Sequence, residues 1–408
     1  MLTRIKIDGY KSFRGAEVKL ADLSVLYGPN AAGKSNLVEC LQLLSRLATA
    51  RPLKEAFAPP HRGGPIESFT FGEQGIEGAL KQERLSFSIE ADVRLSDAVI
   101  EAVNQSGRQD AVRERSLRYR IEVEMLPESG ALRVADEYLA AITDNGEPTG
   151  RAPFLSVDGD RLHIRLEDQA RSGYYERYPN RSVLAMPHHP SCCPHLIAMR
   201  MELESWRFFR FEPREMLATT PVKKAHQIGF MGEHLVTFLN TLKSLDEDQF
   251  RAIEDALSAI LPDVQGIDVR ANDLGEPVLA LIENGVPVPA GLLSEGTLRI
   301  LGLLSAAHAM ERSSLICIED VDSGIHQLKL RSIAEFLKTR ASGETQYIVT
   351  THSSYLPELV SDESLFICKK IGGATCINPF MAWCGPSQGS GRSIDRERLD
   401  EVALLKVG

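Results

Sequence analysis

The eight residues Gly28-Pro29-Asn30-Ala31-Ala32-Gly33-Lys34-Ser35 constrain this chain more than any other stretch of it. They fit the pattern G-x-x-x-x-G-K-[ST], and their surroundings fit too. Upstream, residues 2–8 and about 15–27 read as short strands, the second ending on the apolar run Val25-Leu26-Tyr27. Downstream, Leu37, Val38, Leu41, Leu43, Leu44 and Leu47 recur at helical spacing. A strand, a tight turn and a helix N-terminus aim several backbone N–H groups at one point, which favours an anion there. Gly28 and Gly33 let the backbone wrap closely round a phosphate. Lys34 brings a positive charge to the β- and γ-phosphates of a nucleotide, and the Ser35 hydroxyl is a ligand for Mg²⁺. Pro29, Asn30, Ala31 and Ala32 in the loop, with Asn36 behind it, complete the expected nucleotide contacts.

A phosphate loop needs a metal carboxylate and a group that positions water. The last part of the chain alternates helix and strand: helical patterns over about 294–311 and 327–341, and apolar runs at Leu315–Ile318 and Tyr347–Val349. Continuous apolar strands between helices predict a parallel sheet covered on both faces. Ligands of such sheets bind at the carboxyl ends of the strands, where this sequence places Glu319 and Asp320. The first suits Mg²⁺ coordination and the second water orientation. His352, in Thr350-Thr351-His352 after the next strand, can sense a γ-phosphate by hydrogen bonding. Leu293-Ser294-Glu295-Gly296-Thr297 opens a helix, with Ser294 as N-cap, Glu295 at the positive end of the dipole and Gly296 permitting close approach.

The remainder reads differently. Residues about 76–167 have the period of two expected of half-buried antiparallel strands, interrupted by a polar loop at VNQSGRQDAVRERS. Residues 168–200 read as an irregular insertion. Residues 232–261 read as two helices joined near Ser244, followed by strands at GIDVR and PVLALIENG, and LFICKKIGGATCINPF reads as a hairpin before a Gly/Ser-rich tail. No heptad pattern persists long enough for a coiled-coil arm. The formal charge of −10, from 46 basic and 56 acidic residues, argues against a chain that coats nucleic acid non-specifically. No apolar run approaches the ~20 residues of a spanning helix, and the first residues alternate like a strand rather than a leader. A cytoplasmic, reduced setting with Cys40 and Cys317 as buried thiols is the expectation.

Taken in order, GPNAAGKS, LSEGT, ICIED, SGIH and TTHS resemble the motifs of ABC-type ATPases, most closely the RecF/SMC-like group and its OLD-like (AAA-15/21) members. The opening IKIDGYKSFRG is similar to that group as well. The resemblance implies an α/β ABC-ATPase head with a mixed sheet, an antiparallel β subdomain and a helical lid or short arm in the middle. Its parts would be an N-terminal lobe at 1–167, an insertion and lid at 168–290 and a C-terminal lobe at 291–408. It implies ATP and Mg²⁺ as cofactors, with Ser35 and Glu319 on the metal and Glu319, Asp320 and His352 as catalytic residues. It also implies ATP held between two heads, with Ser294 and Gly296 facing the partner's Gly28–Ser35 loop, and dimer contacts at Asp322. Walker B usually ends in Asp then Glu; the order here is reversed, and an Asp at the catalytic position implies slow hydrolysis. Gln74 and Gln82 are both candidates for the Q-loop glutamine.

Two weaker clusters stand apart. His188, His189, Cys192, Cys193 and His195 have zinc-ligand chemistry but match no common finger spacing. Arg171, Tyr174, Tyr175, Arg177, Tyr178 and Arg181 interleave base-stacking and phosphate-binding types. The functional expectation is a nucleotide-dependent dimerising ATPase, or higher homo-oligomer, with no membrane association. It would act as sensor or regulator of a separate effector, a nuclease, as in bacterial anti-phage systems. The alternative is a RecF-like repair ATPase with DNA as partner.

Overall fold

Strands that are apolar on both sides must be covered on both sides, and the C-terminal strands are. A computed structural model of the chain describes residues 1–106, 111–159, 161–166, 172–176, 179–186, 193–218, 224–273, 275–308, 313–341 and 343–383. Its central sheet has six strands in the order Arg207–Phe209, Leu315–Ile318, Gln346–Thr351, Leu23–Tyr27, Leu365–Ile371, Ala374–Pro379. The first five are parallel and the last returns antiparallel. Alternate residues feed two cores. Leu26, Cys317, Ile348 and Cys368 face helix Lys34–Leu47 and the antiparallel sheet. Val25, Ile316, Ile318, Val349 and Ile367 face the helices Leu235–Leu245, Glu247–Ile260, Glu295–Ala307 and Gln327–Ala341.

The second sheet is antiparallel throughout and has eight strands, ordered 16–19, 2–8, 85–94, 116–126, 131–141, 155–158, 161–165, 172–176. A third, three-stranded sheet (264–271, 277–283, 286–289) packs on helices 235–245 and 247–260. The first two sheets are joined through the start of the chain. The Leu2 N–H donates to Gln346 Oε1 at 2.8 Å, Gln346 Nε2 donates to Leu2 O at 2.8 Å, and the terminal ammonium meets Glu202 at 3.0 Å. The expected α/β head, with a mixed sheet and a separate antiparallel one, is what forms.

Three expectations are corrected. The single strand read at 15–27 is two, Ala16–Lys19 and Leu23–Tyr27, in different sheets. The chain crosses between sheets at Ala21, whose N–H donates to Ser24 Oγ. The stretch read as irregular up to residue 200 contains the start of helix Pro194–Glu204, and the polar loop overlaps helix Asp97–Ser106. The two helices read over 232–261 do join at Asp246, which caps the second by accepting from Gln249 N. Cys40 and Cys317 are free and fully buried, and burial pushes both thiols well up.

Candidate functional site

Helix Lys34–Leu47 is anchored by Leu37, Val38, Leu41, Leu43, Leu44 and Leu47, all at 0–1% exposure, each burial stabilising by about 1.5–3 kcal/mol. Its N-terminus is left electrically open. The N-cap is Gly33 at φ +107°, no side chain caps it and the first turn holds no acid. Unpaired N–H groups with a positive dipole end are an anion site. The two glycines are required here by the protein itself. A Cβ on Gly28 would lie 2.2 Å from Cys368 O, and one on Gly33 would lie 2.0 Å from Thr375 Oγ1. The hairpin 365–379 therefore presses against the loop, and Thr375 Oγ1 donates to Ala32 O at 2.9 Å. Ser12 links Thr375 and Asn36, at 2.7 Å to each, so Asn36 braces the loop from behind.

Lys34 is 4% exposed and folds back over the loop, donating to Gly28 O at 2.6 Å and Pro29 O at 3.1 Å. Burial lowers its pKa, partly offset by Cys368, Asp320 and Asp322. Its Nζ also lies 3.0 Å from His352 Nδ1, while His352 Nε2 lies 2.9 Å from Asp320 Oδ1. Lys34, His352 and Asp320 thus form one continuous chain across three strands. Asp320 sits at φ +50°, an uncommon conformation for a residue with a side chain. Its N–H donates to Thr350 Oγ1 at 2.9 Å.

Glu319, next to Asp320 in the chain, is 5% exposed and its N–H donates to Phe209 O. Burial raises its pKa, opposed by a hydrogen bond from Ser35 and by Arg62 and Arg210. Its Oε2 is buried with no hydrogen-bond partner. A buried carboxylate oxygen beside a hydroxyl, left unpaired, suits a hard divalent cation.

The structure thus brings Gly28–Ser35, Glu319, Asp320 and His352 to one edge, and it leaves the signature residues elsewhere in contact. Ser294 caps helix Glu295–Ala307 by accepting from Thr297 N at 3.1 Å. Gly296 is buried, and a Cβ there would lie 2.4 Å from Gly324 O, so its close approach is to its own chain. Ser294 and Glu295 remain exposed. The carboxylate of Asp322, whose turn is expected to make dimer contacts, accepts from Thr351 Oγ1 at 2.6 Å within this chain. Gln74 and Gln82 are exposed. The cavity beside Glu319 and Asp320 is lined instead by Arg210, Arg299 and Ser323.

Sequence reasoning missed the cations around the loop. Lys11 and Arg62 both pair with Glu39, on the helix of the phosphate loop. Burial alone would raise Glu39, but the hydrogen bonds from Arg62 and Lys11 win and hold it below the usual carboxylate range. Lys11, Arg14, Asn36, Arg62 and Lys370 line an open groove next to the loop. Lys11 and Arg14 lie in the opening IKIDGYKSFRG, but only the fold collects them with Arg62 and Lys370 beside the loop.

The weaker clusters fare unequally. His188, His189 and Cys192 lie outside the described residues, as do Arg171, Arg177 and Tyr178. His195 is packed in a core, stacked on Phe154 at 4.2 Å and accepting from Glu114 N at 3.0 Å. Among the described residues no cluster of three or more His, Cys, Asp or Glu could hold a metal, and no helix is long and apolar enough to cross a membrane.

A phosphate loop braced by a hairpin, followed across a parallel sheet by the buried Glu319, the partly exposed Asp320 and His352, has the layout of a P-loop ATPase. The chain belongs to the AAA_21 family, described as "AAA domain, putative AbiEii toxin, Type IV TA system", whose model matches residues 23–124 and 203–357, over half its length. Among solved structures it is similar to an SMC head bound to the C-winged helix domain of ScpA, with TM-score 0.55 and 11% identity over 92% of this chain and 97% of that one. It is also similar to the Pyrococcus furiosus Smc head with an extended coiled coil bound to the C-terminal domain of ScpA, with TM-score 0.52 and 9% identity over 92% and 95%. At such identities the likeness is one of fold. No curated protein matches the chain.

Proposed function

We propose that this chain binds ATP with Mg²⁺ at the carboxyl edge of its parallel sheet, hydrolyses it slowly and dimerises around it. The observation that carries this reading is the unpaired Glu319 Oε2, buried beside Ser35 and the uncapped N-terminus of helix Lys34–Leu47. Ser35 and Glu319 would hold Mg²⁺, which when bound screens the phosphate charge. Lys34 would exchange the carbonyls of Gly28 and Pro29 for phosphate oxygens. Asp320, held by His352, would orient the attacking water, and the groove lined by Lys11, Arg14 and Arg62 would take the nucleoside end.

Dimerisation draws support from two exposed apolar side chains, Leu292 at 77% and Leu328 at 78%. One precedes the signature turn and the other follows the Asp322–His326 turn, and the Gly296–Gly324 contact holds these turns together. Large apolar groups left in solvent on adjoining elements are in keeping with an association surface. Ser294→Arg should block Mg²⁺–ATP-driven association in sedimentation velocity; a variant that still dimerises on ATP refutes the two-headed site.

The role we assign is sensor or regulator of a separate effector, a nuclease, in anti-phage defence. The family's description, with its toxin and TA system, and the partner-bound state of the two SMC heads are in keeping with it. The DNA-clamping alternative draws less support from the antiparallel sheet, where Arg4, Arg118, Arg120 and Arg133 each meet a carboxylate. Mass spectrometry of whatever co-purifies with the native protein tests the choice: an associated nuclease supports the regulator, and ATP-dependent, salt-sensitive DNA binding without one contradicts it.

A further inference from the structure

Arg210 lies one residue beyond strand Arg207–Phe209, whose register pairs Phe209 with Ile318. It therefore leaves the sheet beside Glu319, and the two line one cavity with Asp320, Arg299 and Ser323. Its backbone is fixed: Arg210 N donates to Phe230 O at 2.8 Å, and Glu212 N to Met231 O at 3.0 Å. Its side chain is loosely held. The guanidinium is 43% exposed and meets Glu212, equally exposed, at 3.8 Å, an ion pair of little strength.

The next residue is tied to the signature helix. Phe211 O accepts from Arg299 Nε at 3.2 Å, and Arg299 Nη1 donates to Ser323 O at 3.1 Å. A Cβ on Gly302 would lie 3.0 Å from the Phe211 ring, so this helix sits directly on Phe211. A charge arriving at Glu319 and Asp320 is thus within the field of Arg210, and any shift of Arg210–Phe211 bears on helix Glu295–Ala307.

Resting on the ATP-site reading above, we propose that Arg210 is a positioning residue that reads the terminal phosphate of bound ATP and passes its presence to the signature helix. A terminal phosphate bound beside Glu319 and Asp320 would bring negative oxygens to the cavity that Arg210 lines, and a charge-assisted hydrogen bond to them would outcompete the 3.8 Å surface pair with Glu212. ADP lacks that group, so Arg210 distinguishes the two nucleotides.

The test measures Mg²⁺–ATP and Mg²⁺–ADP affinity by calorimetry, and ATP-driven association by sedimentation, for the full chain and its R210A, R210K and K34A variants. R210A should weaken ATP about tenfold, leave ADP within about twofold and lose association. R210K should recover part of the ATP affinity, and it carries the comparison alone if R210A does not fold. Equal losses for both nucleotides, or no loss for either, overturn the proposal. Nucleotide binding that K34A leaves unchanged overturns the ATP-site reading instead, so the two failures are distinct.

Discussion

Glu137 and Glu319 are both buried carboxylates, 1% and 5% exposed, and burial raises the pKa of each. They are otherwise opposites. Glu137, in the antiparallel sheet, accepts from Tyr119 Oη, Ser182 Oγ and Val183 N at 2.8 Å each and from Leu184 N at 3.4 Å. Its donors pin the segment at residues 182–184 onto the sheet. Glu319, at the open edge of the parallel sheet, has Ser35 on one side and an oxygen with no partner on the other. Depth does not separate a structural acid from a functional one here. Saturation does: one is closed by the protein's own donors, and the other keeps room for a cation.

That contrast can be broken at either end. The largest effect belongs to the open edge, where Asp320→Asn should slow ATP turnover by about 10³-fold while ATP-driven dimers persist. Unchanged steady-state turnover would move the water-orienting role away from Asp320. At the closed end, Glu137→Ala strands Ser182 Oγ and the Val183 N–H and should cost about 3 kcal/mol in urea unfolding. Glu319→Gln, which removes an unpaired buried charge, should change stability by less than about 1 kcal/mol. Equal losses from the two would erase the distinction.

The smallest effect is in the pH dependence of stability. A raised folded-state pKa means that protonation of Glu137 favours the fold. Its contribution is fully present below the ordinary value of 4.5 and is lost as pH rises through the folded-state value. Melting midpoints of wild type and Glu137→Gln, taken across acidic pH, should diverge by this amount, the wild type declining relative to the variant as pH rises. Parallel curves would mean that Glu137 titrates in the fold as it does in the unfolded chain.

The sequence shows the open edge better than it shows what surrounds it, for physical reasons. Leu315–Ile318 is buried on both faces, so it reads as a continuous apolar run that delivers Glu319 to a strand end. The loop at Gly28–Ser35 is local chemistry and carries its own signature. Strand Arg207–Phe209 has three residues, too few for any period, and becomes a strand only by pairing with 315–318. Arg210 was therefore invisible as a neighbour of Glu319. Helix Pro194–Glu204 escaped because its buried face carries His195 and Glu202 while the apolar Ile197 and Met201 lie on the other face, which blurs the stripe. Arg62 reaches the site through Glu39, a tertiary pairing that no spacing announces. The fully satisfied Glu137 gave no signal either, since its partners lie 18 and 45 residues away and beyond.

The central claim is that the unpaired oxygen of Glu319 completes a metal–nucleotide site. Calorimetric titration of ATP into wild type and Glu319→Gln, with and without Mg²⁺, tests it most directly. The wild type should bind ATP at least about tenfold more tightly with Mg²⁺, and the variant should lose that gain while still binding ATP through the loop at Lys34. A variant that keeps the full Mg²⁺ dependence of the wild type would contradict the account.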